Sequence, residues 1–460
     1  AITAIVDAVS LGLGAAVGRY GPAVQLGATI GSQIGQRLGI TRTGLRVLLG
    51  CGVAGAISAS FNAPIAGAIF AHEVIIGHFR LRAFAPIAMA SVAAEAVTHF
   101  HGFDYIALKL ADGGEDLTLG DYPAFVLIGL LAAGLAVVYM GGITGLRYLS
   151  VRWKIPVILQ PALGGAIAGI CGLVLPLVLG LGDETVQQVL EQNPAAPTFA
   201  WSTLLLLMLG KVVASVACLG LKYPGGAFSP AIFAGAMLGG AIALVAPFLQ
   251  YQICVLVVMA AMMSSVVGAP IATILIVFEL TENYEAATAV MVGVVAANAF
   301  VTSFFARSLF HRQIRRWGVD LDRPRERVLM ERETVGEIMS KRFVAVRPDR
   351  TAAELRKIVD RGHQGDVYVI EGSRRLLGKL PLAALAVAGE SETAADLAER
   401  PDHWLRQSDD QWAGFASIED FVGYSIPVVE DDESMRMVGI VSESDFIKAY
   451  RSAVQQVRDE

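Results

Sequence analysis

The stretch GRYGPAVQLGA at residues 18–28 decides how this chain is read, because it returns as GAFSPAIFAGA at residues 226–236. Gly18, Pro22 and Gly27 align with Gly226, Pro230 and Gly235, and Tyr20 stands opposite Phe228. The match continues downstream, where Ala63-Pro64 with Glu73 lines up with Ala269-Pro270 with Glu279. The proline-to-proline interval is 42 residues in one copy and 40 in the other, and each glutamate follows the second proline by nine. Features matched at this spacing point to two copies of one structural unit. Proline suits the first turn of a helix, where its missing N–H costs nothing. Glycine just before it lets the backbone turn sharply and approach closely. Each copy therefore predicts a helix whose free N–H groups and positive dipole end open inside the protein. Two such ends facing one another would hold an anion without a full positive charge, which leaves the ion free to depart. The plainer alternative is a pair of Gly-Pro kinks needed only for packing.

The surroundings of the repeat are apolar. Of 460 residues, 54% are hydrophobic and 17% charged, against roughly 45–50% and 25% in soluble proteins. The charges are uneven, with 32 Lys, Arg, Asp and Glu in residues 1–322 and 46 in residues 323–460. This predicts a multi-pass α-helical membrane domain over 1–322 and a soluble domain over 323–460. No basic face accumulates, so a nucleic-acid partner is disfavoured. Apolar segments run at about 44–60, 64–78, 83–98, 122–148, 157–180, 199–221, 231–249, 252–267, 269–280 and 285–306. Several are shorter than the ~20 residues a spanning helix needs, which suggests broken helices meeting within the membrane.

Basic loops carry Arg37, Arg42 and Arg46, then Arg80 and Arg82, then Arg147, Arg152 and Lys154, then Arg307, Arg312, Arg315 and Arg316. Acidic loops are expected at 104–121 and 183–191. The basic loops should face the cytoplasm of an inner-membrane protein, which puts the soluble domain there too. Residue 1 is Ala within an apolar stretch, and no signal peptide is read there; the expectation is that the natural N-terminus lies upstream. Cys51, Cys171, Cys218 and Cys254 each sit alone in apolar sequence and are expected as buried thiols. His99 and His101 do not share a helix face, so no metal site is read there or at His72 and His78, and no nucleophile–base pair suggests an enzyme.

At these residues the chain resembles the CLC family of chloride channels and chloride/proton exchangers. The family's G-R-E-G-P appears as Gly18-Arg19-Tyr20-Gly21-Pro22, and its G-x-F-x-P as Gly226-Ala227-Phe228-Ser229-Pro230. Asn62-Ala63-Pro64 and Glu279-Leu-Thr-Glu-Asn-Tyr284 also match family patterns. The resemblance covers essentially all of 1–322. It implies a polytopic fold with an internal repeat, a homodimer with one pathway per subunit, and chloride or a similar small anion as cargo. The family's first anion motif, G-S-G-I-P, would lie before residue 1.

Three departures bear on mechanism. Tyr20 stands where the family has its gating glutamate; a phenol, with an ordinary pKa of about 10, stays neutral but can donate a hydrogen bond. Val74 stands where exchangers have an inner proton-relay glutamate. Phe310 aligns with an inner tyrosine and offers no hydroxyl. With neither relay carboxylate, the resemblance implies anion movement without stoichiometric proton exchange. The alternatives are a plugged regulatory paralogue, a coupled transporter of altered stoichiometry or for bicarbonate or nitrate, and a CBS-containing cation transporter. The last would need clustered acids in the spans, where Glu73, Glu95 and Glu279 lie far apart. Glu73 and Glu279 are intramembrane carboxylates, functional suspects by default, yet their matched positions favour a role in bonding free backbone groups. Arg19, costly to bury, should pair with an acid or carbonyls.

Residues 335–460 hold two weak copies of a mixed α/β unit. Thr351-Ala-Ala-Glu-Leu suggests a helix start, with strands at 366–370 and from 376. Strands at 425–429 and 437–441 precede Ser442-Glu-Ser-Asp445. The pattern G-h-h-S/T-x-x-D resembles a CBS-domain pair. That resemblance gives Ser442 and Asp445 as contacts to an adenine nucleotide, the one cofactor considered. The first copy reads Gly378-Lys-Leu-Pro-Leu and lacks both residues. A dimerisation module without ligand is the other reading.

Overall fold

The computed structural model describes residues 2–77, 81–102, 117–305, 308–316, 323–359, 366–418, 421 and 423–459. His78, Arg80, Arg307 and most of the expected acidic loop at 104–121 lie outside the described residues. The chain divides into two compact units, Ala1–Val319 and Asp320–Glu460.

The first unit is helical. The first repeat copy comprises α1 (Ile2–Gly12), α2 (Tyr20–Arg37), α3 (Arg42–Phe61), α4 (Pro64–Phe70) and α5 (Leu81–Phe100). Then come α6 (Tyr122–Arg152), α7 (Leu159–Val174) and α8 (Asp183–Glu191). The second copy comprises α9 (Trp201–Gly220), α10 (Phe228–Val245), α11 (Tyr251–Val267), α12 (Pro270–Thr281) and α13 (Tyr284–Phe304), followed by α14 (Leu309–Arg316). Among the described residues six helices are long and apolar enough to cross a membrane, and four shorter apolar ones accompany them. The mixture of full and short helices follows from the Gly and Pro breaks. The apolar run at 157–180 ends as a helix at Val174, with a single tight turn at Pro176–Val178 behind it. Residues 183–191, expected as an acidic loop, instead form α8. Its buried face is Thr185, Val186, Val189 and Leu190, and Asp183 and Glu184 fill the first turn, where acids favour the helix dipole.

Backbones approach closely where both helices offer glycine. A side chain on Gly27 of α2 would overlap the Gly52 carbonyl of α3, and one on Gly52 would overlap that of Gly27. Small residues at a helix interface serve in this way within membranes, where packing replaces the hydrophobic drive.

The two copies cap each other. α4 and α12 both begin with proline after an alanine that has no side chain with which to cap. Glu279 accepts from the amides of Ile65 at 2.9 Å and Ala66 at 2.7 Å. Glu73 accepts from the amides of Ile271 at 3.1 Å and Ala272 at 2.9 Å. These are the first free N–H groups of each helix, the ones an N-cap side chain normally takes. Each copy thus supplies the cap that the other lacks, as the matched positions suggested. Glu73 lies in a π-helical segment, Ala71–Ile76, that continues α4, whereas α12 carries Glu279 on regular α-helix.

The second unit contains α15 (Arg325–Met330) and α16 (Val335–Ile338), then strands β1 (Val344–Val346), β2 (Val367–Glu371) and β3 (Arg375–Leu380), with α17 (Ala352–Val359) between β1 and β2. Helices α18 (Leu382–Val387) and α19 (Ala394–Leu397) lead to β4 (Leu405–Arg406), α20 (Gln411–Ala416), β5 (Ile426–Val429), β6 (Met437–Val441) and α21 (Glu443–Asp459). The two sheets repeat one topology: β1 is parallel to β2, which is antiparallel to β3, and β4, β5 and β6 do the same. Short helices are exchanged. Val335 of α16, ahead of the first sheet, is buried in the core of the second, and Ala394 of α19, ahead of the second, is buried in the core of the first. Both begin with a capping box, Thr334 with Glu337 and Thr393 with Asp396, the device that satisfies two orphan donors at once.

Candidate functional site: two helix starts joined back to back

Gly18 and Gly226 are brought together. The Gly18 amide donates to the Gly226 carbonyl at 2.7 Å, and the Gly226 amide to the Gly18 carbonyl at 2.8 Å. This two-residue antiparallel bridge joins the segments that precede α2 and α10. A side chain at Gly18 would lie 2.8 Å from both the amide nitrogen and the hydroxyl of Ser229, so only glycine allows this approach. Gly21 would meet the Gly226 backbone at 3.3 Å. Residues 18–22 and 226–230 therefore form one cluster, and the starts of α2 and α10 share it.

The side chains around the cluster are mostly apolar. The Tyr20 ring stacks on Phe61 at 4.3 Å and meets the edge of Phe228 at 5.1 Å. Tyr20 and Phe228 are each 6% exposed, so the phenol is built into a ring cluster. Phe61, which the motifs did not single out, completes it; its place at the end of α3, two residues before Ala63, gave no signal in sequence. Pro22 is half-buried and Pro230 buried, and Ala227 is buried with its carbonyl accepting from the Tyr139 hydroxyl of α6 at 3.3 Å. Val74 packs on the same apolar cluster as Tyr20 and Phe228. Phe310, on α14, is 39% exposed; the ring contacts at the helix starts join Tyr20, Phe61 and Phe228 and do not include it.

One polar atom is conspicuous. Ser229 is 3% exposed, and its hydroxyl is buried with no hydrogen-bond partner. Buried hydroxyls are nearly always paired, so an unpaired donor at a helix start is unusual. Beside it, Arg19 forms an ion pair with Asp183 of α8 at 3.3 Å and lies over the Tyr20 ring at 5.3 Å. Arg19 thus has the acid partner the sequence called for. Buried polar residues on helices preceding the cluster were not singled out: Lys211 and Ser215 on α9 and Asp7 on α1 are each 3% exposed or less. Ser215 donates to the Ala16 carbonyl at 2.7 Å and so ties α9 to the segment before α2.

Among the described residues no group of three or more His, Cys, Asp or Glu could hold a metal. Cys218 and Cys254 are buried as expected, while Cys51 and Cys171 are only half-buried, packed at the margins of the apolar clusters. In the second unit Ser442 and Asp445 lie together at the start of α21. The Ser442 hydroxyl donates to Asp445 at 2.6 Å and its amide at 3.1 Å, so each partners the other.

Comparison with known proteins identifies the family. The family model described as voltage gated chloride channel matches residues 1–302, and the CBS domain matches 335–388 and 418–452. A ClcB-like chloride channel protein of Ralstonia nicotianae is 32% identical over 65% of this chain and 72% of its own length. Chloride channel protein CLC-f of Arabidopsis thaliana is 27% identical over 82% of this chain and 56% of its own length. The crystal structure of a slow cyanobacterial Cl−/H+ antiporter superposes with a TM-score of 0.59 at 22% identity, over 68% of this chain and 75% of that one, a likeness of fold alone. The chain belongs to the voltage-gated chloride channel (CLC) family, with a C-terminal region that matches CBS domains.

Proposed function

We propose that the first unit is a pathway for chloride or a similar small anion, with the anion held between the starts of α2 and α10. The observation that carries this is the Gly18–Gly226 bridge with the unpartnered Ser229 hydroxyl beside it. Backbone amides at a helix start and a buried donor hydroxyl attract a small anion through partial charges, and a weak multi-donor site permits both entry and exit. Tyr20 takes the gate position. It cannot carry a proton as a carboxylate does, and Val74 supplies none, so anions move without stoichiometric proton exchange. The protein is an inner-membrane homodimer with its C-terminal unit in the cytoplasm, on the loop charges and the family pattern.

Because the H+/Cl− exchange transporter ClcA of Vibrio cholerae is 31% identical over 60% of this chain, the second reading is coupled exchange. Reconstituted liposomes decide between them. A chloride gradient should dissipate without moving protons uphill; chloride-driven proton pumping would refute the uncoupled reading. For the C-terminal unit we propose an adenine nucleotide at Ser442 and Asp445. The supporting feature is their joint position at the α21 start, where a nucleotide would exchange with their mutual bond. Calorimetric titration of ATP should show binding that Asp445→Ala abolishes; no heat with the native chain rejects the site.

A further inference from the structure

Lys211 is fully buried on α9, and its ammonium is spent on backbone. It donates to the carbonyls of Val178 at 3.0 Å, Gly180 at 2.6 Å and Leu181 at 3.3 Å. An ammonium has three donors, so all three are used on one turn. The Phe233 ring of α10 lies 4.9 Å away and also closes over Gly182, where any side chain would strike it. The turn contains two left-handed glycines, Gly180 (φ 61) and Gly182 (φ 81), and the Gly180 amide donates to the Gly14 carbonyl at 3.1 Å. It leads directly into Asp183, the first residue of α8 and the partner of Arg19.

Burying an ammonium costs several kcal/mol even after relaxation. Among the described residues no carboxylate lies within ion-pair distance of Lys211, so a local salt bridge does not repay it. What its hydrogen bonds do fix is the path of the turn. Val178 is buried and residues 179–182 are half-buried; carbonyls turned away from water need donors, and without the ammonium these three lose theirs. The chain of contact then runs from Lys211 through residues 178–182 to Asp183, and from Asp183 to Arg19. Arg19 adjoins the Gly18 bridge and Tyr20. Its side chain is 48% exposed and that of Asp183 26%, so the pair is reachable by ions at the edge of the cluster. A carboxylate held against Arg19 masks its charge; a displaced one leaves it free to draw anions in.

Resting on the anion pathway proposed above, we infer that Lys211 is a positioning residue: it braces the turn at 178–182, holds Asp183 on Arg19, and so sets how strongly the site draws its anion. Lys211→Met should change the chloride concentration for half-maximal flux in liposomes by about threefold, the low end of coupling within one network. Lys211→Arg should recover native behaviour in part. In a chain already carrying Asp183→Asn, Lys211→Met should add almost nothing. A shift of equal size in that background would overturn the inference, because Lys211 would then act through its charge or packing alone.

Amide hydrogen exchange gives a readout that needs no transport. Lys211→Met, or Lys211→Gln should Met prevent a monodisperse preparation, should raise exchange at residues 178–186 while leaving α10 protected. Unchanged exchange there would also overturn the inference. If the native chain carries no chloride, the pathway itself is refuted, and the exchange arm still decides whether Lys211 holds the turn.

Discussion

The two repeat copies share a backbone and differ in side chains. Both place a left-handed residue two positions before the second proline, Asn62 and Gly268. Both give a glutamate to cap the other, and both contribute a glycine to the central bridge. What differs lies beside the bridge. The first copy offers Arg19, Tyr20 and Gly21 where the second offers Ala227, Phe228 and Ser229. Lys211 lies 15 residues before Gly226, and the matching position before Gly18 is Thr3. Burial differs as well: thirteen residues of α10 are buried against three of its counterpart α2. Duplicated glycine, proline and glutamate build a symmetric frame. On the pathway proposed here, the chemistry would come from the places where the copies diverge, since a helix start needs no particular side chain to present its amides, whereas selectivity and gating do.

The symmetric part breaks with the largest effect. Glu279→Ala strands two amides of α4 and Glu73→Ala two of α12, each costing about 3 kcal/mol at 1–3 kcal/mol per unsatisfied group. Thermal unfolding in detergent should fall for both by similar amounts. A loss confined to one would show that the copies are not equivalent supports. Next in size is the divergent aromatic. Tyr20→Ala removes a ring stacked on Phe61 and set against the edge of Phe228 and should raise chloride flux about tenfold, the effect of ~1.4 kcal/mol off a barrier; Phe228→Ala should do less, because Phe228 does not hold the proposed gate position.

Smaller still, Ser229→Ala should weaken half-maximal chloride by about fivefold, one net hydrogen bond's worth of ~1 kcal/mol, and Ala227 substitutions of similar size should not. The smallest effect belongs to the exchanged helices of the second unit. The Thr393 hydroxyl and amide hold the Asp396 carboxyl below its ordinary value of 3.8. A depressed folded pKa means that this contribution is present above pH 3.8 and is lost as pH falls through the lower folded value. Amide protection at residues 393–397, taken against the intrinsic exchange rate at each pH, should therefore fall at acid pH, and Asp396→Asn should already show that loss at neutral pH.

Much of this was legible because backbone needs specify residues. Glycine at a close approach, proline at a helix start and a carboxylate nine residues on leave marks that survive divergence between the copies. The spans were legible from apolar runs, and their ends fall within a few residues of the helices. α8 was hidden because nine residues with acids in the first turn look like a loop when only charge is counted. Lys211 was hidden because one lysine in an apolar run gives no sign of three carbonyls brought from thirty residues upstream. Phe61 was hidden for a similar reason, since stacking between α2 and α3 follows from their glycine contact and not from local pattern. The exchange of α16 and α19 rests on four-residue helices too short for periodicity to register.

The central claim is that the starts of α2 and α10 together lodge an anion. Anomalous scattering from bromide in crystals of the protein tests it most directly. A peak should lie within hydrogen-bond distance of the Ser229 hydroxyl and the first-turn amides of both helices. Bromide carried across liposomes, with no density at that cluster, would contradict it.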